Sequence, residues 1–204
     1  MLNKTTKVNT PKRMIIIVGP SGSGKSAVQK HLARKGYRPM VSTTTRLIRD
    51  KEIDGVDYNF TTKDKFDSMV KDGLFIEHVE FAGKQYGLEK SEVDKQPGDV
   101  SVIVEPKGAC DILDYCKTRD DLSYSLVFIN VSKESQVKNM GKRGDSSEAI
   151  KARLASDNIA SEFKRLGLLK IANTILNSDE HTINSMTEAI LDDIMFLSEV
   201  QNGR

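Results

Sequence analysis

The chain has little of what would mark several common classes of protein. It has two cysteines, Cys110 and Cys116, with no second pair and no histidine cluster beside them. Their spacing is not a zinc signature, and two cysteines alone read as reduced thiols of a cytoplasmic protein. The three histidines, His31, His78 and His181, are scattered and carry no catalytic assignment. No apolar run approaches the roughly 18 residues of a membrane span. Charge of one sign is also missing: 31 basic against 29 acidic residues leave +2, which gives no support to a general nucleic-acid binder. The opening "MLNKTTKVNTPKR" is polar and basic, without the apolar core of a signal peptide. It reads as a loose leader over residues 1–12. There is no internal repeat and no low-complexity tract.

What is present suits one soluble α/β domain. Apolar residues make up 38% of the 204 positions, enough to fill a core. "MIIIV" (14–18) is a continuous β-branched run of the kind buried on both faces of a parallel sheet. "VSVIVE" (100–105), "LSYSLVFINV" (122–131) and "KIANTILN" (170–177) read as further strands. Helical stretches are expected over 25–35, 107–118, 133–142, 147–166 and 180–199. Strands alternating with helices imply βαβ units. The stretch 41–97 breaks that rhythm. It has short strand-like pieces in "DYNF" and "FIEHVEFAG" and a helix over 63–71, and reads as an insertion with its own small sheet.

The strongest motif follows the first strand directly. "GPSGSGKS", Gly19 to Ser26, matches the phosphate-binding loop G-x-x-x-x-G-K-[ST]. Its glycines let backbone N–H groups converge on phosphate oxygens. Lys25 reaches the β- and γ-phosphates, and the Ser26 hydroxyl sits on Mg²⁺. Gly19, Ser21, Gly22, Ser23, Gly24, Lys25, Ser26 and Ala27 are therefore the candidate triphosphate-binding residues.

The insertion supplies candidates for a second phosphate. In "VSTTTRLIRD" (41–50) four hydroxyl residues run into Arg46 and Arg49. Guanidinium forks pair with phosphate oxygens in a two-toothed way. Tyr58 and Tyr86 offer phenolic hydroxyls. In "FIEHVEF" a strand period of two places Glu77 on one face with Phe75, Val79 and Phe81. A carboxylate among apolar neighbours wants a partner. Either it forms an internal salt bridge or lies at a locally exposed sheet edge, or it meets a ligand with adjacent N–H donors, such as guanine.

These motifs, with "GLFIEHVEFAGKQYG" and "KRGDSSEAIKARL", make the chain resemble the guanylate kinase family in order and spacing from about residue 13 to the C-terminal helix. The resemblance implies a phosphate-loop parallel sheet flanked by helices, in three core segments (13–40, 98–139 and 158–204). It also implies a small mixed α/β insertion (41–97) that binds the nucleoside monophosphate, and a helical lid (140–157). It implies ATP-dependent phosphorylation of GMP and dGMP with Mg²⁺, nucleotide partners rather than nucleic acid or membrane, and a cytoplasmic enzyme; monomer and homodimer are left undecided. Ser42, Glu77 and Glu105 would face guanine. Arg46, Arg49, Tyr58 and Tyr86 would hold the acceptor phosphate, with Arg143 and Arg153 reaching in from the lid. Lys25, Arg46, Arg143 and Arg153 would carry the transfer itself.

The chain also departs from the family pattern. Leu88 stands where the family usually has Ser or Thr, and Ile103 and Glu105 stand where it has two aspartates. Lys107 replaces a glutamine, Asn139 the first lid arginine, and "RLIRDKE" lacks the usual Pro and Gly. Two other readings stay open on these grounds. One is a deoxynucleoside monophosphate kinase with a retuned base pocket. The other is a kinase-like binding module without activity, against which the intact Lys25–Ser26 pair argues.

Overall fold

The structure, a computed structural model, describes residues 11–50, 52–81 and 83–201. In chain order the elements are β1 (Lys12–Val18), α1 (Lys25–Arg34), β2 (Arg38–Pro39), β3 (Thr43–Thr44), β4 (Asn59–Phe60), α2 (Lys63–Lys71), β5 (Phe75–Phe81), β6 (Lys84–Glu89), α3 (Lys90–Lys95) and β7 (Val100–Ile103). There follow α4 (Pro106–Lys117), β8 (Leu122–Asn130), α5 (Lys133–Lys142), α6 (Ser147–Ser156), α7 (Ile159–Arg165), β9 (Thr174–Asn177) and α8 (Ile183–Gln201). None of the described helices is long and apolar enough to cross a membrane.

β1 is central because it is apolar on both faces. It lies in a five-stranded parallel sheet of order β2-β7-β1-β8-β9. Ile15 and Ile17 pack with Val28 and Leu32 of α1 and Met186 and Ile190 of α8. Met14, Ile16 and Val18 face the other way, toward Ile112 of α4 and Phe163 of α7. The Phe163 ring stacks on Phe128 at 4.4 Å. Strand neighbours on the two sides of β1 come from different parts of the chain, so a crevice opens at the carboxyl ends of the strands, where ligands of such sheets gather.

The second sheet, β4-β3-β6-β5, is mixed: β3 and β4 are parallel, and β6 is antiparallel to both β3 and β5. Its hydroxyl run is largely structural. Thr43 donates to Glu89, Thr44 donates to the Gln85 carbonyl and accepts from the Arg46 N–H, and Thr45 accepts from the Gln85 N–H. Thr43 and Thr44 form a short strand within a stretch that shows no strand alternation in sequence.

Several expectations need correction. The leader read over 1–12 falls mainly on residues outside the described ones, and Lys12 already belongs to β1. β7 ends at Ile103 rather than residue 105, because Pro106 begins α4 with Glu105 as its N-cap. Only Thr174–Asn177 of the stretch 170–177 is strand, and 168–170 is a 3₁₀ turn. The helix expected over 147–166 is two helices. Asp157 adopts an extended conformation (ψ 102°), and its carboxylate accepts from the Ile159 N–H at 3.2 Å, an Asx turn that restarts the chain as α7.

The face assignment in β5 also changes. Phe75 pairs with Glu89 and Glu77 with Leu88, so one extra residue, Ile76, is inserted against β6. This bulge breaks the period of two. Phe75 turns to the α2 side, stacking on Phe66 at 4.5 Å. Glu77 turns to the side that packs against α4, away from Phe75.

Candidate active site

The phosphate loop joins β1 to α1. Gly24 is the N-cap of α1 with φ 93°, and Gly22 has φ 78°, both in the left-handed region that suits glycine. A Cβ on Gly22 would lie 3.0 Å from the Gln136 Cα, so α5 is packed directly on the loop. Asn139 of α5 fastens the same place, donating to the Gly22 carbonyl at 2.8 Å. Gly19 and Ser23 are buried, and the Ser23 hydroxyl has no protein partner among the described residues. Ser21 is half-buried. Ser26 and Ala27 are exposed in the first turn of α1. Lys25 folds back over the loop and donates to the carbonyls of Gly19 (2.6 Å) and Pro20 (2.8 Å). Burial lowers its pKa to about 8, opposed by the negative charges of Glu105 and Asp157.

Arg46 is the most constrained of the predicted phosphate ligands. Its two terminal nitrogens donate to the two oxygens of Glu52 at 2.8 and 2.9 Å, and it also donates to the Leu47 carbonyl. Its guanidinium lies over the rings of Tyr58 (5.2 Å) and Phe60 (5.6 Å). Tyr58 in turn meets Tyr86 edge to face at 5.9 Å. Burial raises the Tyr58 pKa, so its phenol stays a neutral donor at ordinary pH. Glu52 also accepts from the Arg49 N–H at 2.8 Å. Its bond to Arg46, aided by that N–H, lowers its pKa to about 2. Glu52 is therefore part of the site, and the sequence reading passed it over. The signal was the repeat of three in Arg46, Arg49, Glu52, which places a carboxylate within reach of both arginines.

The Arg49 side chain is exposed. The hydrogen bond from Arg143 lowers the Asp145 pKa most, and the charges of Arg153 and Arg49 add to that. Arg143 is thus engaged in an ion pair with Asp145. Arg153, half-buried, lies in the last turn of α6, whose N-cap Ser146 accepts from the Ala149 N–H.

The residues expected to face the base fall into two groups. Ser42 is half-buried and uses its carbonyl to accept from the Asn59 N–H. Glu77 is 7% exposed. It lies against α4 so closely that a Cβ on Gly108 would stand 3.0 Å from its Oε2. Burial, then the nearby Asp111, raises its pKa to about 7, opposed by a hydrogen bond from the Leu88 N–H. Glu105 is exposed at the α4 N-terminus. Desolvation in the cleft raises its pKa and Lys25 opposes that rise. Leu88, by contrast, is fully buried in the main core.

Comparisons with known proteins agree. The guanylate kinase family model matches residues 11–191. The guanylate kinase of Chlorobium luteolum is 32% identical over 186 residues, covering 88% of this chain and 89% of that protein. The crystal structure of guanylate kinase from Anaplasma phagocytophilum superposes with a TM-score of 0.60 at 18% identity, over 96% of this chain and 88% of that one, which speaks to the fold alone. On sequence, and with a fold to match, this chain belongs to the guanylate kinase family.

Proposed function

We propose that the protein transfers the γ-phosphoryl group of ATP to the phosphate of GMP, yielding ADP and GDP. It is a nucleoside monophosphate kinase. The observation that carries this reading is the pairing of two phosphate-directed devices on one crevice: a backbone loop with Lys25, and the Arg46–Tyr58–Tyr86 cluster with Glu77 beyond it.

Phosphoryl transfer leaves a protein little covalent work, so positioning and charge dominate. Two dianionic phosphates about 4.5 Å apart repel by roughly 15 kcal/mol at an effective dielectric near 20. Lys25, Arg46, Arg49, Arg143 and Arg153 are the cations available to oppose that. In this reading Lys25 leaves the Gly19 and Pro20 carbonyls for the β,γ-phosphates, and the added negative charge holds it protonated. Arg46, fixed by Glu52 on one side, keeps its Nε–H and one Nη2–H for the acceptor phosphate. Glu77 and Ser42 meet the guanine edge, and Glu105 adds a carboxylate at the mouth. Segments 41–97 and 140–157 act as the acceptor-binding part and the lid. The lid excludes water and brings Arg153 toward the phosphates.

Magnesium suits these residues. The Ser26 hydroxyl is exposed and makes no side-chain hydrogen bond among the described residues. No group of three His, Cys, Asp or Glu able to hold a metal occurs there. Ser26 is the residue that would hold the ion. Bound there, it would supply positive charge that offsets part of the repulsion between the phosphates.

The test is a turnover panel of GMP, dGMP, IMP, AMP, dAMP, CMP and dTMP with ATP and Mg²⁺. GMP is expected to lead, with dGMP turned over as well. Turnover of none would leave a binding module, and AMP exceeding GMP would overturn the base assignment.

A further inference from the structure

A trans peptide unit is rigid, and its C=O and N–H point to opposite sides. Whatever holds one of them aims the other. The unit that joins Gly22 to Ser23 lies in the middle of the phosphate loop. Its carbonyl, on Gly22, points out of the loop, where the Asn139 side-chain amide donates to it at 2.8 Å. Its N–H, on Ser23, points inward and reaches the Pro20 carbonyl at 3.3 Å. Lys25 donates to that same carbonyl at 2.8 Å. Two donors of the loop thus converge on one backbone oxygen, and an oxygen of a bound phosphate suits both of them better.

α5 grips Gly22 in two ways. Its backbone stands directly behind the residue, since a Cβ on Gly22 would lie 3.0 Å from the Gln136 Cα. That contact keeps Gly22 close to the helix but leaves its peptide unit free to rotate. Gly22, with φ 78°, has no side chain to resist such a rotation. The bond from Asn139 is what fixes it. Asn139 lies three residues beyond Gln136 on the same side of α5. It is exposed, so its side chain carries no part of the core.

We propose that Asn139 is a positioning residue of the phosphate loop: by holding the Gly22 carbonyl outward it aims the Ser23 N–H at a phosphate oxygen of the bound nucleotide, and so sets the affinity of the loop for ATP and ADP. Asn139 acts through the loop, without touching the nucleotide. The inference rests on the proposed function in one respect, that the loop holds the phosphates of the donor. It also gives a use to the residue that stands in place of the first lid arginine of the family.

The test sets the wild-type chain beside Asn139→Leu, which keeps the size of the side chain and loses the donor. ADP binding with Mg²⁺ is measured by calorimetry, and the Ser23 amide is followed by ¹H–¹⁵N NMR. In the wild type, ADP should move the Ser23 amide proton downfield, as it leaves the long Pro20 contact for a charged oxygen. Asn139→Leu should weaken ADP binding about tenfold and lose most of that shift. The KM for ATP should rise in proportion, with the KM for GMP within about twofold of wild type. Unchanged ADP affinity in Asn139→Leu overturns the inference. Weaker ADP binding with the Ser23 shift intact also overturns it, because Asn139 would then be touching the nucleotide directly. An equal rise in the KM for GMP overturns it too, as a general loosening of the fold. A wild-type chain that binds ADP and shows the shift, but turns over no GMP, would overturn the proposed function and leave this inference standing.

Discussion

The two sides of the crevice proposed to hold the phosphoryl donor and the acceptor are built on different principles. The donor side is made of backbone. Its loop is held between a strand apolar on both faces and a helix that buries Val28 and Leu32, and a single side chain, Lys25, completes it. The acceptor side is made of side chains on a sheet whose β3 and β4 have two residues each. Its order comes from mutual contacts: Arg46 to Glu52, the rings of Tyr58 and Phe60 beneath the guanidinium, and Tyr86 edge to face with Tyr58. A backbone site recognises the shape common to all triphosphates. A side-chain site can be retuned residue by residue: of the departures from the family, Leu88 lies in β6 of that sheet, while Asn139 fastens the phosphate loop.

The contrast can be broken at its strongest point first. Lys25→Ala should lower kcat by about 10³-fold or more while leaving the circular dichroism spectrum and melting temperature near wild type, because only a loop contact is lost. Normal turnover would remove Lys25 from the chemistry. Arg46→Ala should act on one side only. GMP kcat/KM is expected to fall by about 100-fold, with the KM for ATP within about threefold. Equal losses for both substrates would mean that Arg46 does not distinguish the two sides. Glu77→Gln should cut the preference for GMP over AMP by about tenfold, since the amide can accept but also donates. An unchanged ratio in a substrate competition assay would take Glu77 out of the pocket.

The smallest effect is thermodynamic. The Glu77 pKa is raised to about 7 in the fold by burial, against an ordinary value near 4.5. The folded state therefore holds a proton that the unfolded chain releases between those values, and stability falls as pH rises through that window. Glu77→Gln should leave stability unchanged near pH 4 and increase it above pH 7, by on the order of 2 kcal/mol. Urea melts at pH 4.5 and pH 8 measure the difference. A gain equal at both values would point to packing rather than charge.

The core was legible because its forces are local and periodic. β1, α1, α2 and α5 lie within a residue or two of where their apolar runs, caps and turns place them. The phosphate loop was legible because backbone geometry demands glycine at fixed positions. The lid helix was not. Residues 147–166 keep a helical pattern throughout, and the break at Asp157 comes from a carboxylate choosing the Ile159 N–H over solvent. The bulge at Ile76 was hidden for a similar reason, since "FIEHVEF" alternates on paper and only the pairing with β6 shows the extra residue. Glu52 escaped notice because its importance lies in a partner, Arg46, rather than in any pattern of its own. Three of the hydroxyls in "STTT" proved to be fasteners of the small sheet. Ser42 alone keeps a side chain without a hydrogen bond among the described residues.

The break at Asp157 also bears on how the crevice opens. α5 is tied to the phosphate loop through Asn139 and Gly22, and α7 is pinned to the sheet by Phe163. Between them α6 is a rod about 15 Å long, at 1.5 Å per residue. It has a joint at each end: Gly144, with φ 90°, and Asp157. A rod fastened at both ends cannot swing like a door. It can roll about its own axis or bow outward, and either motion turns Arg153 through an arc while the ends stay in place. On the proposed assignment of 140–157 as the lid, nucleotide entry would be gated by rotation of a strap rather than by lifting of a flap.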